Sequence, residues 1–244
     1  MRKGAAMNPP IFFYDTLPST NLTAKEMLLA GKREGVVVAD RQSAGRGRLG
    51  RQFFSEHGIF MTAIVTPERF SVPPVMLTTA VAAAVCRAIC AEGFDAKIKW
   101  VNDILLDDKK ICGILAESVS DGDAILGYVV GIGVNVGVGH FPAELDGIAV
   151  SLTRGTSSED EALKERLLHS ILRHMDEALH ESPASLIAYC TEKSAVIGKR
   201  VRFFGANEGH GIAVGLDAIG GLIIHGDDGE VHTLIGGEIS VRTI

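Results

Sequence analysis

The pattern of apolar and polar positions along residues 12–195 predicts a mixture of helices and strands. The best bounded helix is predicted over residues 22–30, because a Ser-Thr pair precedes this apolar-periodic run and a glycine follows it. A longer helix is predicted from the proline pair at 73–74 to about residue 92, and its many alanines indicate packing between layers. The other predicted elements are strands at 36–39, 58–65, 97–100, 104–106, 111–119 and 124–136, with a hairpin around 107–110, and helices at 159–180 and 183–194.

The pattern changes at Gly198. From there the chain reads as short apolar strands separated by glycine and aspartate turns, and no helix is predicted among them. Such a segment is typical of a small β-barrel that follows an α+β domain. The sequence therefore predicts a flexible leader at 1–11, a larger α+β domain at 12–195 and a C-terminal barrel at 196–244.

Composition and charge narrow the function classes. The chain is 46% hydrophobic and 22% charged, as in an ordinary globular protein, and its net charge of −6 argues against general nucleic-acid binding. The N-terminus lacks an apolar run of signal-peptide length, and no stretch is expected to span a membrane. The four cysteines form no C-x-x-C pair, and core packing explains the two at 86 and 90 better than metal binding. We therefore expect a cytoplasmic protein with no nucleic-acid or membrane partner.

The segment 41–51, RQSAGRGRLGR, contains the pattern G-x-G-x-x-G of dinucleotide-binding proteins. That fingerprint needs a helix after its third glycine, but the next predicted strand begins at residue 58, too soon for a parallel crossover. The dinucleotide interpretation is therefore rejected. Arginine offers a fixed fork of donors to carboxylate and phosphate, so Arg46, Arg48 and Arg51 indicate a loop that holds more than one anion together. A merely solvated basic loop is the alternative.

Further polar residues stand at the ends of predicted strands. Lys99, Asn102 and Asp103 follow one strand, and Lys110 precedes an apolar one, where a lysine must meet an anion or reach solvent. Asn135 ends a glycine-rich strand, which a backbone or a ligand can approach closely. Each of these residues could be structural on its own.

Together these segments resemble the biotin–protein ligases. The matching segments are Ser19-Thr20-Asn21, QSAGRGRLGR at 42–51, KWVND at 99–103, Lys110 with Gly113, and GIGVN at 131–135. The tail is similar to the C-terminal SH3-like barrel of that family, and the resemblance covers residues 12–244 in the family's order. It implies an α+β fold in which a class II synthetase-like, biotin–lipoyl ligase-like catalytic domain, a mixed sheet with helices, precedes the barrel.

The sequence departs from the family at some positions. Many members have Pro where this chain has Val101, and Trp where it has Phe53; valine can keep a strand end extended, and phenylalanine keeps an aromatic ring. Some members also carry an N-terminal helix-turn-helix domain and repress the biotin operon. Only 18 residues precede Ser19, so we expect the single-function form without operator binding.

The resemblance implies two half-reactions. The biotin carboxylate attacks the α-phosphate of MgATP to give biotinyl-5′-AMP and pyrophosphate, and a lysine of a biotin carboxyl carrier domain then takes the biotinyl group. The two substrate anions repel by several kcal/mol at ~4 Å in an effective dielectric of about 20, so the site must offset that repulsion. The residues implied are catalytic Arg46, Arg48 and Lys110; biotin-binding Ser19, Thr20, Asn21, Gln42, Arg46, Gly47, Arg48, Lys110 and Gly113; and ATP-binding Arg48, Arg51, Lys99, Asn102, Asp103 and Asn135.

Several points stay open at this level. Asp103 could serve Mg²⁺, the nucleotide or the acceptor lysine, and the barrel could dock the acceptor or complete the ATP site. A homodimer is permitted by the family. The loop at 43–52 is expected to be mobile without ligand and to order over biotin, which would exclude water. The alternative functions are a lipoate or octanoate–protein ligase, which needs an apolar tunnel in place of ureido partners, and a non-catalytic biotin-sensing module.

Overall fold

The structure is a computed structural model that describes residues 9–51, 53–54, 56–204, 208–235 and 241–243. Most of the predicted leader and the segment 236–240 of the predicted barrel lie outside the described residues. The first sheet contains β1 (Ile11–Leu17), β2 (Gly35–Gln42), β3 (Gly58–Val65), β4 (Lys97–Lys99), β5 (Asp103–Leu106), β6 (Lys109–Asp121) and β7 (Ala124–Asn135). The helices are α1 (Thr20–Leu29), α2 (Leu77–Ala91), α3 (Ser158–Leu179) and α4 (Pro183–Glu192). The second sheet contains β8 (Arg200–Phe203), β9 (Gly209–Leu216), β10 (Leu222–Gly226), β11 (Val231–Leu234) and β12 (Val241–Thr243).

The first sheet is mixed and has the strand order β1-β2-β3-β7-β6-β5-β4. Only β1 and β2 pair in parallel, with α1 as their crossover, and the other neighbours are antiparallel. The sequence did not predict β1, because its side chains do not alternate between buried and exposed: Phe13 is 67% exposed at this sheet edge. The hairpin of β5 and β6 is confirmed, and Asp107 and Asp108 take left-handed backbone angles at its turn.

Helix α1 starts at Thr20, earlier than predicted. Ser19 occupies the N-cap position in an extended conformation, but its hydroxyl makes no capping hydrogen bond. The helix ends as predicted, since the chain leaves it at Gly31 with φ of +92°, which glycine adopts without strain. The first turn of α1 therefore presents the side chains of Ser19, Thr20 and Asn21, all buried, to the sheet.

Helix α2 lies at the centre of the core and packs against α3 and the sheet. A short 3-10 turn (Pro74–Met76) precedes it, so the α-helix proper begins later than the proline pair. Residues 74–91, with a mean hydropathy of 1.7, are long and apolar enough to cross a membrane by length and composition alone. Of that segment 67% is buried inside the fold, as in a core helix. Cys86 and Cys90 lie here as core residues, and burial raises the pKa of the Cys86 thiol to about 12.

The second sheet is antiparallel, with the order β11-β10-β9-β8-β12, and no helix interrupts it among the described residues after 196. Its small core is completed by Trp100 and Val101, which lie in the turn between β4 and β5. The peptide bond between these two residues is cis. The Trp100 indole donates to the carbonyl of Gly220 over 2.8 Å, which ties the two sheets together next to Asn102.

Candidate active site

A pocket that is open to solvent lies where the start of α1 and the end of β2 meet the arginine segment and the middle of β6 and β7. All nine residues predicted to bind biotin lie in its wall, which is formed by Ser19, Thr20, Asn21, Gln42, Arg46, Gly47, Arg48, Phe53, Asn102, Lys110, Gly113, Ile114, Leu115, Gly131, Ile132 and Gly133.

At one end of the pocket, several buried polar side chains form hydrogen bonds with one another. The amide oxygen of Gln42 accepts from the backbone N–H of Thr20 at 2.8 Å and lies 3.2 Å from the Thr20 hydroxyl. The hydroxyl of Thr62, on β3, lies 2.8 Å from that of Thr20 and 2.7 Å from Oδ1 of Asn21. These groups are satisfied by one another, as buried polar groups must be. They give this end of the pocket a fixed geometry.

The Asn21 side chain is held from its other side as well. Its amide nitrogen donates to a carboxylate oxygen of Glu117 at 2.7 Å and to the carbonyl of Leu115 at 3.3 Å. The amide also rests on Gly131, where a Cβ would approach Oδ1 of Asn21 to 2.1 Å. A glycine on β7 is therefore required for Asn21 to lie flat against the sheet.

The other end of the pocket is cationic. Arg48 donates to Oδ1 of Asn102 at 2.7 Å, and Lys110 pairs with Asp103 over 2.6 Å. The Asn102 amide in turn donates to Asp103 at 3.1 Å, so these four side chains form one group. Of the two predicted alternatives for Lys110, an anion or solvent, this ion pair supplies the anion.

Burial dominates the electrostatics of Arg48. It lowers the pKa of the guanidinium, Asp103 acts in the opposite direction, and the nearby charge of Arg51 lowers the pKa further. Arginine nevertheless keeps its charge at any physiological pH. A half-buried cation close to a second one favours the arrival of an anion, because an anion offsets both the lost hydration and the mutual repulsion.

The segment that carries the arginines is held in part by its own backbone hydrogen bonds. The Gly47 N–H donates to the carbonyl of Arg51 at 2.7 Å, and the Phe53 N–H donates to that of Gly45 at 2.9 Å. The side chains of Arg46 and Arg51 are both exposed. Arg46 lines the pocket, whereas Arg51 lies outside its wall. The expected mobility of residues 43–52 stays a prediction, and Gln52 lies outside the described residues.

The ring of Phe53 lies against the glycines of the pocket floor. A Cβ on Gly133 would come within 2.5 Å of this ring, and one on Gly113 would meet it at 3.2 Å and Nζ of Lys110 at 3.1 Å. The ring also makes an edge contact with Phe60, with a centroid separation of 6.2 Å. The glycines therefore make room for an aromatic side chain and for Lys110 as well as for a ligand.

Four predicted ATP-binding residues lie outside this pocket wall: Arg51, Lys99, Asp103 and Asn135. Lys99 is half-buried at the end of β4, opposite Asp103 in the strand register. Asn135 is buried and donates to the carbonyl of Val150 at 3.1 Å. Their assignment to ATP stays a prediction. Arg48 and Asn102 also line a second cavity, which extends between α2 and the second sheet.

Sequence reasoning missed two polar residues of the site. Thr62 is fully buried and is the only polar side chain in the strand GIFMTAIV, and that exception in an apolar strand was a usable signal. Glu117 is exposed on β6, and only the fold brings its carboxylate to Asn21. Neither the spacing nor the composition of the chain links these two positions.

Within the described part of the chain, no group of three or more His, Cys, Asp or Glu side chains could hold a metal ion. Mg²⁺ is commonly bound by only one or two carboxylates, together with substrate phosphates and water.

Comparison with known proteins agrees with this geometry. The model of the "Biotin/lipoate A/B protein ligase family" matches residues 13–135, and that of the "Biotin protein ligase C terminal domain" matches residues 196–242. The bifunctional ligase/repressor BirA of Bacillus subtilis (strain 168) is 35% identical over 237 residues, covering 93% of this chain and 73% of the relative. The biotin–[acetyl-CoA-carboxylase] ligase of Paracoccus denitrificans is 29% identical over 221 residues, covering 86% of this chain and 92% of the relative.

A solved structure extends the match to three dimensions. Biotin protein ligase from Aquifex aeolicus, in complex with biotin and ATP, has a TM-score of 0.82 at 27% identity, covering 96% of this chain and 99% of that chain. The mixed α+β fold predicted from the sequence is confirmed by this likeness and by the two sheets described above. The chain belongs to the biotin/lipoate A/B protein ligase family and carries the C-terminal domain of its biotin protein ligases.

Proposed function

We propose that this protein activates biotin with ATP to biotinyl-5′-AMP, releases pyrophosphate, and transfers biotin to one lysine of a biotin carboxyl carrier domain. The observation that carries the proposal is that one pocket joins a buried polar end, at Thr20 and Asn21, to a cationic end, at Arg48 and Lys110. Biotin has the matching polarity, with a ureido ring at one end and a carboxylate at the other. The names of the relatives support the same activity.

The proposed biotin site follows the two ends of the pocket. The ureido ring, with its N–H donors and carbonyl acceptor, lies among side chains that can both donate and accept. The backbone comes close at Gly47 and Gly113, and cations face the carboxylate. We assign Ser19, Thr20, Asn21 and Gln42 to the ring, and Arg46, Arg48 and Lys110 to the carboxylate and the reacting phosphate.

The first step needs two anions to meet. A carboxylate oxygen of biotin attacks the α-phosphorus of ATP, and pyrophosphate leaves with the electron pair of the broken P–O bond. Arg48 and Lys110 offset the repulsion and stabilise the negative charge that builds up on the phosphate. Asp103 holds Nζ of Lys110 in place before the substrates arrive, so little reorganisation is needed when the anions replace it as partners.

In the second step the ε-amine of the acceptor lysine attacks the acyl carbon and AMP leaves. No covalent bond to the enzyme forms in either step. Asp103 is a candidate to orient this amine, because its carboxylate stands at the pocket edge between Asn102 and Lys110. We propose that a carrier domain is the acceptor. We also propose that the protein is located in the cytoplasm and forms a homodimer. The four described cysteines are free, as expected in a reducing compartment.

ATP enters as its magnesium complex. We propose that Arg48, Arg51 and Asn102 face the triphosphate. Arg48 and Asn102 line the pocket, and Arg51 is close enough to affect the pKa of Arg48. For Lys99 and Asn135 the proposal rests on the family resemblance. A lone carboxylate such as Asp103 suits Mg²⁺ that brings phosphate and water ligands, provided that Asp103 then shares or releases Lys110.

We also propose a domain boundary near residues 195–196.

The test is incubation of the full chain with biotin, MgATP and an apo carrier domain, followed by intact mass. We expect pyrophosphate release that depends on biotin, and a carrier heavier by one biotinyl group. Lipoate and octanoate in place of biotin give neither product. Transfer of lipoate or octanoate would instead identify the alternative ligase. Tight biotin binding without pyrophosphate release would identify a non-catalytic sensor and overturn the proposal.

A further inference from the structure

We propose that Asn135 is a positioning residue for the reaction, a task separate from its proposed contact with the nucleotide. Its amide nitrogen holds segment 148–150 beside β6, and that segment fixes the backbone of Lys110, the cation assigned to the reacting phosphate. This inference rests on the proposed function, because it concerns the placement of Lys110 in the first step. Asn135 is buried and lies outside the pocket wall, so in this task it acts through other residues.

The backbone of Lys110 needs a partner that β7 does not supply. Strand β7 ends at Asn135, and its pairing with β6 begins only at Cys112, opposite Val134. Lys110 pairs with Leu105 of β5 on one side, so its other side lies beyond the end of β7. The N–H and the carbonyl on that side require hydrogen bonds from elsewhere in the chain.

Segment 148–150 takes the place of β7 beside Lys110. The N–H of Lys110 donates to the carbonyl of Ile148 at 2.9 Å, and the N–H of Val150 donates to the carbonyl of Lys110 at 2.9 Å. Ala149 thereby forms a parallel bridge with Lys110. These two hydrogen bonds extend the sheet past the end of β7, and they fix the Cα from which the lysine side chain reaches the pocket wall.

Asn135 holds this segment at the point where β7 ends. A backbone carbonyl can only accept, so the group of Asn135 that lies 3.1 Å from the carbonyl of Val150 is its NH₂. The backbone carbonyl of Asn135 also accepts from the N–H of Leu152 at 3.0 Å. Val150 is therefore held on both sides, since its carbonyl is bonded to Asn135 and its N–H to Lys110. The amide oxygen of Asn135 is left for the nucleotide.

The position of Lys110 matters because its ammonium must meet the charge that develops on the phosphate. A misplacement of about 1 Å can cost about 10²-fold in rate, even when the altered residue is far from the reacting atoms. Loss of the Asn135 side chain loosens the segment but does not release it, because the backbone bonds to Lys110 and Leu152 remain. The loss of rate should therefore be smaller than for removal of Lys110 itself.

A residue that only contacts ATP would behave differently. Its loss raises the ATP concentration needed for half-maximal rate, and saturating ATP restores the rate. Loss of a residue that positions Lys110 instead lowers the rate at saturating ATP and biotin. The two substitutions are then not additive, because Asn135 has nothing left to position once the lysine is removed.

The chain offers a matched control on the adjacent residue. Ser151 is also buried, and its hydroxyl accepts from the N–H of Val138 at 3.0 Å. Ser151→Ala therefore removes one hydrogen bond that does not lead to Lys110. If Asn135→Ala does not fold, Asn135→Asp tests the same bond, because a carboxylate of nearly the same size cannot donate to Val150.

The experiment is biotin-dependent pyrophosphate release by the full-length protein at saturating biotin and MgATP. We expect Asn135→Ala to be slower on the order of tenfold and Ser151→Ala to match the wild type. In a Lys110→Ala background, Asn135→Ala should add no more than about a twofold loss. Hydrogen exchange of the peptide that contains Lys110, measured without ligands, should become faster in Asn135→Ala alone. A melting temperature for each variant shows that it is folded.

Three results would overturn the inference. They are an unchanged rate at saturating substrates in folded Asn135→Ala, an equal loss of rate in Ser151→Ala, and an undiminished loss when Asn135→Ala is added to Lys110→Ala. The first result together with a raised ATP requirement would leave Asn135 as a nucleotide contact only. Failure of the proposed function looks different, since the wild-type protein itself would then release no pyrophosphate with biotin.

Discussion

The two ends of the pocket are built in different ways. The polar end is assembled from regular elements, the first turn of α1 and strands β2 and β3, and its groups satisfy one another within the fold. The cationic end takes Arg46 and Arg48 from an irregular segment, and its groups are partly exposed. The first end is complete before any ligand binds, whereas the second has cations in excess.

This difference assigns separate tasks to the two ends. A preorganised end discriminates between ligands, because a poor ligand must leave buried groups unpaired. A cationic end on a loop can change its partners during the reaction, from Asp103 and Asn102 to the carboxylate and phosphate. Substitutions at the polar end should therefore change biotin affinity, and those at the cationic end should change the rate of adenylate formation.

The largest effect is expected for Lys110→Ala. Loss of one preorganised donor at a developing charge costs about 10²- to 10³-fold in rate, and Asp103 would also be left without its cation. We expect pyrophosphate release to slow by that factor while biotin affinity falls much less. Lys109→Ala is the control, because its side chain is exposed on the preceding residue. Near-normal pyrophosphate release in Lys110→Ala would show that this lysine does not face the reacting phosphate.

Arg48→Ala should have the next largest effect. The guanidinium is half-buried and bonded to Asn102, so its loss removes a charge-assisted donor and releases the turn at Asn102. We expect the concentrations of both biotin and ATP needed for half-maximal rate to rise about tenfold or more. Steady-state pyrophosphate release measures both. If only the ATP concentration needed for half-maximal rate rose, Arg48 would not contact the biotin carboxylate. The tasks of the two ends would then be more sharply divided.

Gly131→Ala should affect only the polar end. The new Cβ would stand 2.1 Å from Oδ1 of Asn21, so the amide must move and the hydrogen bond from Thr62 must lengthen. We expect biotin affinity to fall about tenfold, with an unchanged ATP requirement. Gly215→Ala is a matched control, since a Cβ there has open space. A changed ATP requirement in Gly131→Ala would mean that the two ends are not separable.

A local effect is expected in the loop at 43–51. Apart from a short 3-10 turn it lies outside helices and strands, so its amides should exchange quickly without ligand and more slowly once biotin and then the adenylate bind. Strand β2 should show little change. Hydrogen exchange read by mass on peptides from both regions makes this comparison. Equal protection of the loop with and without biotin would contradict the idea that it closes.

The sequence predicted residues that line the pocket but missed two that hold the polar end from outside its wall, for a physical reason. Arg46, Arg48 and Lys110 stand out because charges are unusual beside glycines and apolar strands. Thr62 and Glu117 act through contacts that only the fold creates, across β3, β6 and α1. In the same way, most core strands were predicted from apolar runs, whereas β1 was missed because it is an edge strand with exposed aromatics. Residues that act through a long-range partner leave a weak signal in the sequence.

The smallest effect is expected where the second sheet contacts the cationic end. Trp100 donates to Gly220 at 2.8 Å and packs in the core of the second sheet, while the next turn residues carry Asn102 and Asp103. Trp100→Phe removes that donor and leaves a carbonyl unsatisfied, which should lower the free energy of unfolding by about 1–3 kcal/mol. Loosening of the turn should raise the ATP requirement by a few-fold only, since Arg48 and Ile114 still hold Asn102.

A second variant separates this coupling from general destabilisation. Phe203→Leu weakens the same small core but keeps the hydrogen bond of Trp100, so it should lower the melting temperature but leave the ATP requirement unchanged. Thermal unfolding and steady-state pyrophosphate release on both variants make the comparison. If the two variants changed the ATP requirement equally, the second sheet would contribute stability alone. If only Trp100→Phe changed it, the second sheet would help to position the cationic end through the turn that carries Asn102.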